Sequence, residues 1–287
     1  MSVAAAAESP ILCRPAQGMD EEAVLQFVRT MFDGDDYVPD VWREWLIEDE
    51  GLLAVAVRAG EVAGLGHLAD LGWGEFWLEG LRVRPDTQGQ GVGSHLHDYF
   101  VGRWLASGGE VVRLATNVKR SSVHHMSERT GFHRLFEFGV AAMGRASEPA
   151  EPGWGPRPLA DPVGIADRLA GSLEASAGLI DLGWRFAMPD PARLASLDSL
   201  RLARLEDGDE LVLLNIWPQA AEAQVAAVAG SPEGLLALFD NIRGWMAAAG
   251  IETLTWLVPA ATDPALAEEA GFAFESDHSL YVYERRR

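Results

Sequence analysis

Three glycines at alternate positions, Gly89, Gly91 and Gly93, follow an apolar strand pattern running from Phe76 to Val83 and lead directly into a helix pattern. Such a turn bends without Cβ clashes, and its N–H groups can converge with those of the helix N-terminus on phosphate oxygens. The chemistry this suggests is the holding of a pyrophosphate. A dinucleotide fingerprint would need a third glycine where this chain has Ser94 or Leu96, and a P-loop would need Gly-Lys-Ser/Thr, so the spacing excludes both. The same strand carries carboxylates: alternation places Glu75, Trp77, Glu79, Leu81 and Val83 on one face.

The elements that must position these residues follow from periodicity. Asp20 to Phe32 has helical spacing, a loop over Asp33–Val38 follows, and Pro39 opens a second helix carrying Val41, Trp42, Trp45 and Leu46. Leu52–Val57 and Val62–Leu68 read as strands ahead of the central strand. Past the glycines, His95–Ala106 reads as a helix, Val111–Ala115 as a strand, and Ser121 or Ser122 opens a helix to Thr130, ended by Gly131 before a strand region over Phe132–Met143. A proline- and glycine-rich stretch from Ala146 to Pro156 marks a boundary. Beyond it the order partly repeats: strand Glu210–Ile216, helix Gly234–Ala249, strand Ile251–Val258, helix Pro264–Ala270 ended by Gly271, and strand Tyr281–Glu284. The segment after Trp217, Pro218–Ala223, has no glycine cradle.

Composition narrows the function classes. A chain of 287 residues accommodates two domains, each with its own core. A net charge of −20 argues against a nucleic-acid partner and favours a cationic one, with solubility as the simpler reading. The single Cys13 excludes a disulfide framework and a thiolate-rich metal site, and His95 and His97, two apart, do not share a helix face; no metal is expected. No apolar run is long enough for a bilayer, and the alanine run near Met1 lacks the features of a signal peptide. A soluble cytoplasmic protein with no membrane partner is expected.

Gln88-x-x-Gly91-x-Gly93, after a strand ending in Leu-x-Val-x-Pro, resembles the signature of the GNAT superfamily of acyl-CoA-dependent N-acyltransferases, over roughly Ile11 to Met143. The whole chain resembles the two-domain, histidine N-acetyltransferase-like members through Asp36-Tyr37-Val38-Pro39, Trp42-x-x-Trp45-Leu46, Glu79–Val83 and Leu214-Asn215-Ile216. The resemblance implies a mixed α/β, α+β-like fold: a mostly antiparallel, splayed central sheet flanked by helices, followed by a degenerate second copy. The expected boundaries are a catalytic domain over 1–146, a linker over 147–158 and a GNAT-like domain without a coenzyme loop over 159–287.

What the resemblance implies about the site is specific. Acetyl-CoA would be the co-substrate, its thioester and pantetheine met by the backbone of Leu81, Arg82 and Val83 and its pyrophosphate by Gln88, Gly89, Gly91, Val92, Gly93 and Ser94, with Asn117 near the pantetheine arm. Glu79 would be the general base, its pKa raised by partial burial beside Trp77 and Leu81; an ion pair with an arginine is the alternative, and Glu75 the reserve. The family's general acid, a tyrosine four residues before the Gly-Phe, is replaced by Ser127, leaving His124 or an unassisted thiolate. Asp36 and Tyr37, with Asp33 and Asp35, would hold a cationic amine or form an ordinary solvated turn. The expected activity is acetyl transfer to a primary amine of a small molecule, an amino acid included; a non-catalytic acyl-CoA-binding module and a protein N-acetyltransferase are the alternatives. The second half would wall the acceptor pocket or build a homodimer.

Overall fold

Regular structure opens with β1 (Ile11–Pro15), α1 (Glu21–Val28) and α2 (Val38–Ile47), followed by β2 (Leu52–Arg58), β3 (Glu61–Asp70) and β4 (Glu75–Val83). Then come α3 (Val92–Ser107), β5 (Val111–Asn117) and α4 (Ser121–Arg129). This is a computed structural model, and it describes residues 9–149, 154–197 and 202–287. The alanine run at 4–7 and residues 150–153 of the expected linker lie outside them.

The chain forms two compact units, one of Met1–Ala115, Ser122–His133 and Glu284–Arg287, the other of Thr116–Ser121 and Arg134–Tyr283. These units are interleaved where the expected domains, 1–146 and 159–287 about a linker over 147–158, are consecutive, because Thr116–Ser121 and the strand from Arg134 count with the second unit and the last four residues with the first.

In the first unit the sheet order is β1-β2-β3-β4-β5, antiparallel except for the parallel pair β4/β5. That parallel ladder runs from Glu75↔Val111 to Leu78↔Leu114 and stops, so Glu79–Val83 continue without β5. Against β3 the register of β4 shifts between His67↔Glu79 and Leu65↔Arg82, which places Gly80 and Leu81 opposite Gly66 in a β-bulge. Gly80 has φ +65, and a Cβ there would lie 2.8 Å from the Trp45 ring. Two glycines of β3 seat α3: a Cβ on Gly64 would lie 2.7 Å from the Arg82 carbonyl oxygen and 3.0 Å from Val92, and one on Gly66 2.7 Å from the Phe100 ring. Beneath α1 and α2 the core is Val24, Phe27, Trp42, Trp45, Val55 and Leu65.

The last residues of the chain complete this unit. Arg287 N–H donates to Glu110 O at 2.9 Å, and the fully buried Arg113 donates from Nε to Glu284 Oε2 at 2.8 Å and pairs through Nη1 with Glu75. Glu75, the reserve carboxylate, is therefore already engaged by an arginine.

The second unit contains β6 (His133–Gly144) from Arg134 onward, β7 (Arg157–Pro158), α5 (Pro162–Ala170), β8 (Ile180–Asp181), β9 (Phe186–Ala187), α6 (Pro191–Ser196), β10 (Leu202–Asp207), β11 (Glu210–Trp217), β12 (Glu222–Ala229), α7 (Pro232–Ala249), β13 (Thr253–Pro259), α8 (Pro264–Glu269) and β14 (Ala273–Arg286) as far as Tyr283. Its strand order is β14-β6-β13-β12-β11-β10-β7, so the end of the expected linker, Arg157–Pro158, pairs into the sheet against β10. The architecture repeats that of the first unit. β12 runs parallel to β13 from Glu222↔Thr253 only to Val225↔Trp256, and antiparallel to β11 with a register shift of its own.

This repeat corrects where the missing cradle should be sought. The counterpart of β4 is β12, so the loop to compare lies before α7 and not after Trp217. There the Arg84–Gly91 segment of the first unit is reduced to Gly230–Ser231, and the Ser231 hydroxyl caps α7 by accepting from Gly234 N–H at 3.1 Å. The segment to compare with Gln88–Ser94 is thus Gly230–Ser231 and not Pro218–Ala223. Counted from the last parallel pair, Ala226 occupies the place of Glu79. Gly64→Ala should destabilise the protein by about 1–3 kcal/mol, because the new methyl meets backbone that cannot rotate away; chemical denaturation measures it.

Candidate active site

The turn after β4 is anchored before it opens. Arg84 N–H donates to Ala63 O at 2.9 Å, and the buried Thr87 hydroxyl donates to Arg84 O at 2.9 Å and Ala63 O at 3.3 Å. The chain then passes through Gly89 (φ +73) and Gly91 (φ +85), and Gly91 is the N-cap of α3 with no side chain to offer. The first N–H groups of an α-helix have no intrahelical acceptor. Those of Val92, Gly93 and Ser94 thus present a positive dipole end beside the stretch of β4 that β5 has left. Gln88 is exposed, its amide 3.4 Å from Val83 O. Unpaired helix amides of this kind can receive phosphate oxygens, and the extended strand beside them can receive a linear ligand.

On β4 the bulge changes the face each side chain takes. Leu81 and Val83 turn toward α3, near Gly66 and Gly93, whereas Glu79 and Arg82 turn toward α2. The simple alternation that grouped Glu79 with Leu81 and Val83 fails at Gly80 for this reason. Arg82 is gripped by Asp36, Nε to Oδ2 at 2.7 Å and Nη2 to Oδ1 at 3.2 Å, with its guanidinium over the rings of Phe32 at 4.8 Å and Tyr37 at 5.3 Å. Asp36 also accepts from Val38 N–H at 3.0 Å, so its charge is neutralised within the protein and is not available to an amine. Tyr37 is exposed and meets Trp45 edge-on at 5.9 Å.

Glu79 belongs to a cluster that single residues in the sequence did not announce. The Nδ1 of His67, its cross-strand partner, lies 2.9 Å from Glu79 Oε1, and His67 Nε2 lies 2.9 Å from Glu48 Oε2, the latter an ion-pair contact out of hydrogen-bond alignment. The His67 ring has no solvent exposure and stacks on Trp45 at 4.4 Å and 11°. Burial opposes its charging, but the carboxylates of Glu48 and Glu79 outweigh burial and raise its pKa above 6.5. Gly51 permits this, since a Cβ there would lie 2.7 Å from Glu48 Oε2 and 2.9 Å from His67 Nε2.

The remaining expected site residues lie elsewhere. Ser127 is fully buried, with no hydrogen-bond partner for its hydroxyl among the described residues. Its carbonyl accepts from Phe132 N–H at 3.0 Å in the turn that ends α4; in the second unit the same turn has Ala267 accepting from Phe272 N–H at 2.9 Å. The position suits a small interior residue. His124 is half-buried on α4, and Asn117, counted with the second unit, accepts from Lys119 N–H at 2.9 Å. His97 is buried and bonds the Thr130 hydroxyl at 2.7 Å, and burial drives its pKa down to about 4. A separate open cleft of about 850 Å³ lies along α1 and the turn after β4. Its arginines, Arg14 and Arg84, are already paired with Asp20, Glu61 and Asp86.

Comparison with known proteins bears on the family and the fold. Residues 19–132 match the Acetyltransferase (GNAT) family model, a span that holds the cradle, β4 and the His67 cluster. That segment belongs to the GNAT acetyltransferase family. The chain is also similar to histidine N-acetyltransferase from Xenopus tropicalis, 31% identical over 81 residues (28% of this chain, 25% of that one), and from Scomber australasicus, 32% over 74 residues (25% and 22%). It therefore spans about a quarter of the length of these curated relatives. A GCN5-related N-acetyltransferase from Sphaerobacter thermophilus shares the fold over 96% of this chain and 95% of its own, with TM-score 0.64 and 17% identity. A tandem GNAT protein from the clavulanic acid biosynthesis pathway does so over 96% and 98%, with TM-score 0.57 and 13% identity. The GNAT-like fold thus extends through the second unit, where Gly230–Ser231 and Ala226 stand in the places of Arg84–Gly91 and Glu79.

Among the described residues no helix is long and apolar enough to cross a membrane, and no three His, Cys, Asp or Glu side chains gather as a metal site.

Two measurements probe the GNAT unit. Gly91→Ala should weaken acetyl-CoA binding about ten-fold by calorimetry, because a Cβ in the left-handed region costs about 1–2 kcal/mol and displaces the helix start. Gly108→Ala, at φ +83 on the other end of α3, should leave that affinity unchanged. His97 stays neutral when folded and charges more readily when unfolded, so stability should decline as pH falls from 6.5 toward about 4, by on the order of 3 kcal/mol. His97→Gln should flatten that decline in denaturation curves.

Proposed function

We propose that this chain transfers an acetyl group from acetyl-CoA directly to a primary amine of a small molecule, with an amino acid as the foremost acceptor class. The observation that carries the reading is the juxtaposition on one strand: β4 ends in an uncapped helix N-terminus suited to a pyrophosphate and carries Glu79 on the stretch that β5 leaves. The similarity to histidine N-acetyltransferases supports an amino-acid acceptor.

Bound acetyl-CoA supplies a thioester carbonyl and a thiolate leaving group; the chain supplies the rest. The amides of Val92, Gly93 and Ser94 hold phosphate oxygens, and the backbone of Leu81–Val83 aligns the pantetheine. Glu79 accepts the proton of the incoming ammonium. An α-amino group titrating near 8 is about one-tenth free amine at pH 7, whereas a lysine-like amine near 10.4 is below about one part in a thousand, so the base supplies one to three powers of ten. The cluster of Glu48, His67 and Glu79 carries a net negative charge with the ring protonated, which favours an ammonium. Asp36 is assigned to holding Arg82, with Tyr37 beside it at the acceptor side. Ser127 receives no catalytic role, since a thiolate with pKa near 8.5 leaves without a donor.

Thiol release from acetyl-CoA, measured across amino acids, polyamines and peptides, should be fastest with a free amino acid. Glu79→Gln should lower kcat at least about 10²-fold with acetyl-CoA affinity unchanged. Tight acetyl-CoA binding with no thiol release on any amine would make the chain a binding module instead, and unchanged turnover in Glu79→Gln would remove the base.

A further inference from the structure

The hydrogen-bonded pair of His67 and Glu79 raises a difficulty that its surroundings resolve. A cation held against a carboxylate stabilises the ionised form and weakens it as a proton acceptor. A buried imidazolium at 2.9 Å from Glu79 Oε1 would by itself do so. Glu48 lies on the opposite edge of the ring at 2.9 Å, brought back from just past the end of α2 over Gly51, the residue whose missing side chain makes room for it. Trp45 from α2 covers the ring face, and β2 faces it with Leu53, neither of them charged. Among the described residues, the charged groups that face His67 are Glu48 and Glu79.

We propose that His67 and Glu48 are positioning residues for the base: the buried ring pins one oxygen of Glu79 so that its carboxylate keeps a single orientation, and Glu48 supplies the second negative charge that keeps the ring protonated while leaving the cluster net negative. This rests on the reading of Glu79 as the base. The need for pinning follows from the bulge, since Glu79 immediately precedes Gly80 and the strand beyond no longer pairs with β5. No proton is routed through the ring: Glu79 takes it from the ammonium, and the Nδ1–H stays with the imidazole. As pH rises and His67 loses its proton, the pin is weakened, so kcat/KM should show a basic limb set by His67. Glu48→Gln removes one of the two charges that raise this pKa, and the limb moves toward lower pH.

The test combines ring protonation with kinetics. In ¹⁵N-labelled protein both nitrogens of His67 should be protonated at pH 6.5, with a midpoint above that of an ordinary histidine, and Glu48→Gln should lower the midpoint by about one unit or more. The basic limb of kcat/KM should move by the same amount. His67→Gln, which keeps a donor beside Glu79 but no charge, should lower kcat about ten-fold or more with acetyl-CoA affinity unchanged. A His67 ring already neutral at pH 6.5 in the wild-type protein overturns the proposal without any variant having to fold. An unmoved limb in folded Glu48→Gln, or wild-type kcat in His67→Gln, overturns it as well. Glu79→Gln separates the two levels. If it is nearly inactive while the Glu48 and His67 variants behave as wild type, the base stands and the positioning fails; if Glu79→Gln turns over normally, the underlying reading fails first.

Discussion

The hydrogen-bond ladder between β4 and β5 ends at Leu78 and Leu114, and the proposed site of the first unit is arranged around that interruption. Backbone N–H and C=O groups left by a neighbouring strand need other partners. Here the gap opens beside the N-terminus of a long helix that also lacks a cap. Gly64 and Gly66 let α3 approach β3 closely enough to place that N-terminus at the end of β4, and the bulge at Gly80 then sends Glu79 to the α2 side and Leu81 to the α3 side. The proposed cradle and Glu79 thus both depend on β4, because one irregularity divides its side chains between two faces.

Charge is managed locally in a chain of strongly acidic composition. Arg82 is used on Asp36 and Arg113 on Glu75 and Glu284, each with little solvent contact. Breaking such a buried pair costs about 3–5 kcal/mol, whereas an exposed pair such as Arg84–Asp86 contributes about 1 kcal/mol or less. Glu284 illustrates the consequence. Burial would raise its pKa, but Arg286 and Arg113 together hold it below 4.5, so its stabilising effect is present above that pH and fades as pH falls further. The cluster around His67 differs in containing more carboxylate than cation.

The first unit was largely legible in the sequence because strand alternation, helix caps and the glycine turn agree with one another. Its elements from α1 to α4 lie within about a turn of their expected bounds. What escaped was long-range pairing. His67 is a single histidine in an apolar strand, and only the antiparallel register with β4 reveals that it faces Glu79. Asp36 read as an open carboxylate because Arg82 lies 46 residues away. In the second unit β12, Glu-Ala-Gln-Val-Ala-Ala-Val-Ala, has a composition that favours helix, yet pairing on both sides makes it a strand. Without β12, the sequence places the counterpart of the glycine loop one strand too early. The α5–α6 region and the hairpin of β8 and β9 are short elements with weak periodicity, and they also went unassigned.

The pairing of Arg113 with Glu284 links residues 171 apart in sequence within one unit. Loop-closure entropy grows only logarithmically with length, so equilibrium stability tolerates such a contact, but folding kinetics are slowed by it. On the ribosome, β5 emerges long before its buried guanidinium can meet that carboxylate. Until Glu284 has been synthesised, that guanidinium lacks one of the two carboxylates it pairs with in the folded unit. The first unit therefore cannot be excised whole by one cut: a fragment ending at residue 146 would lack Glu284 and its pairing with Arg113.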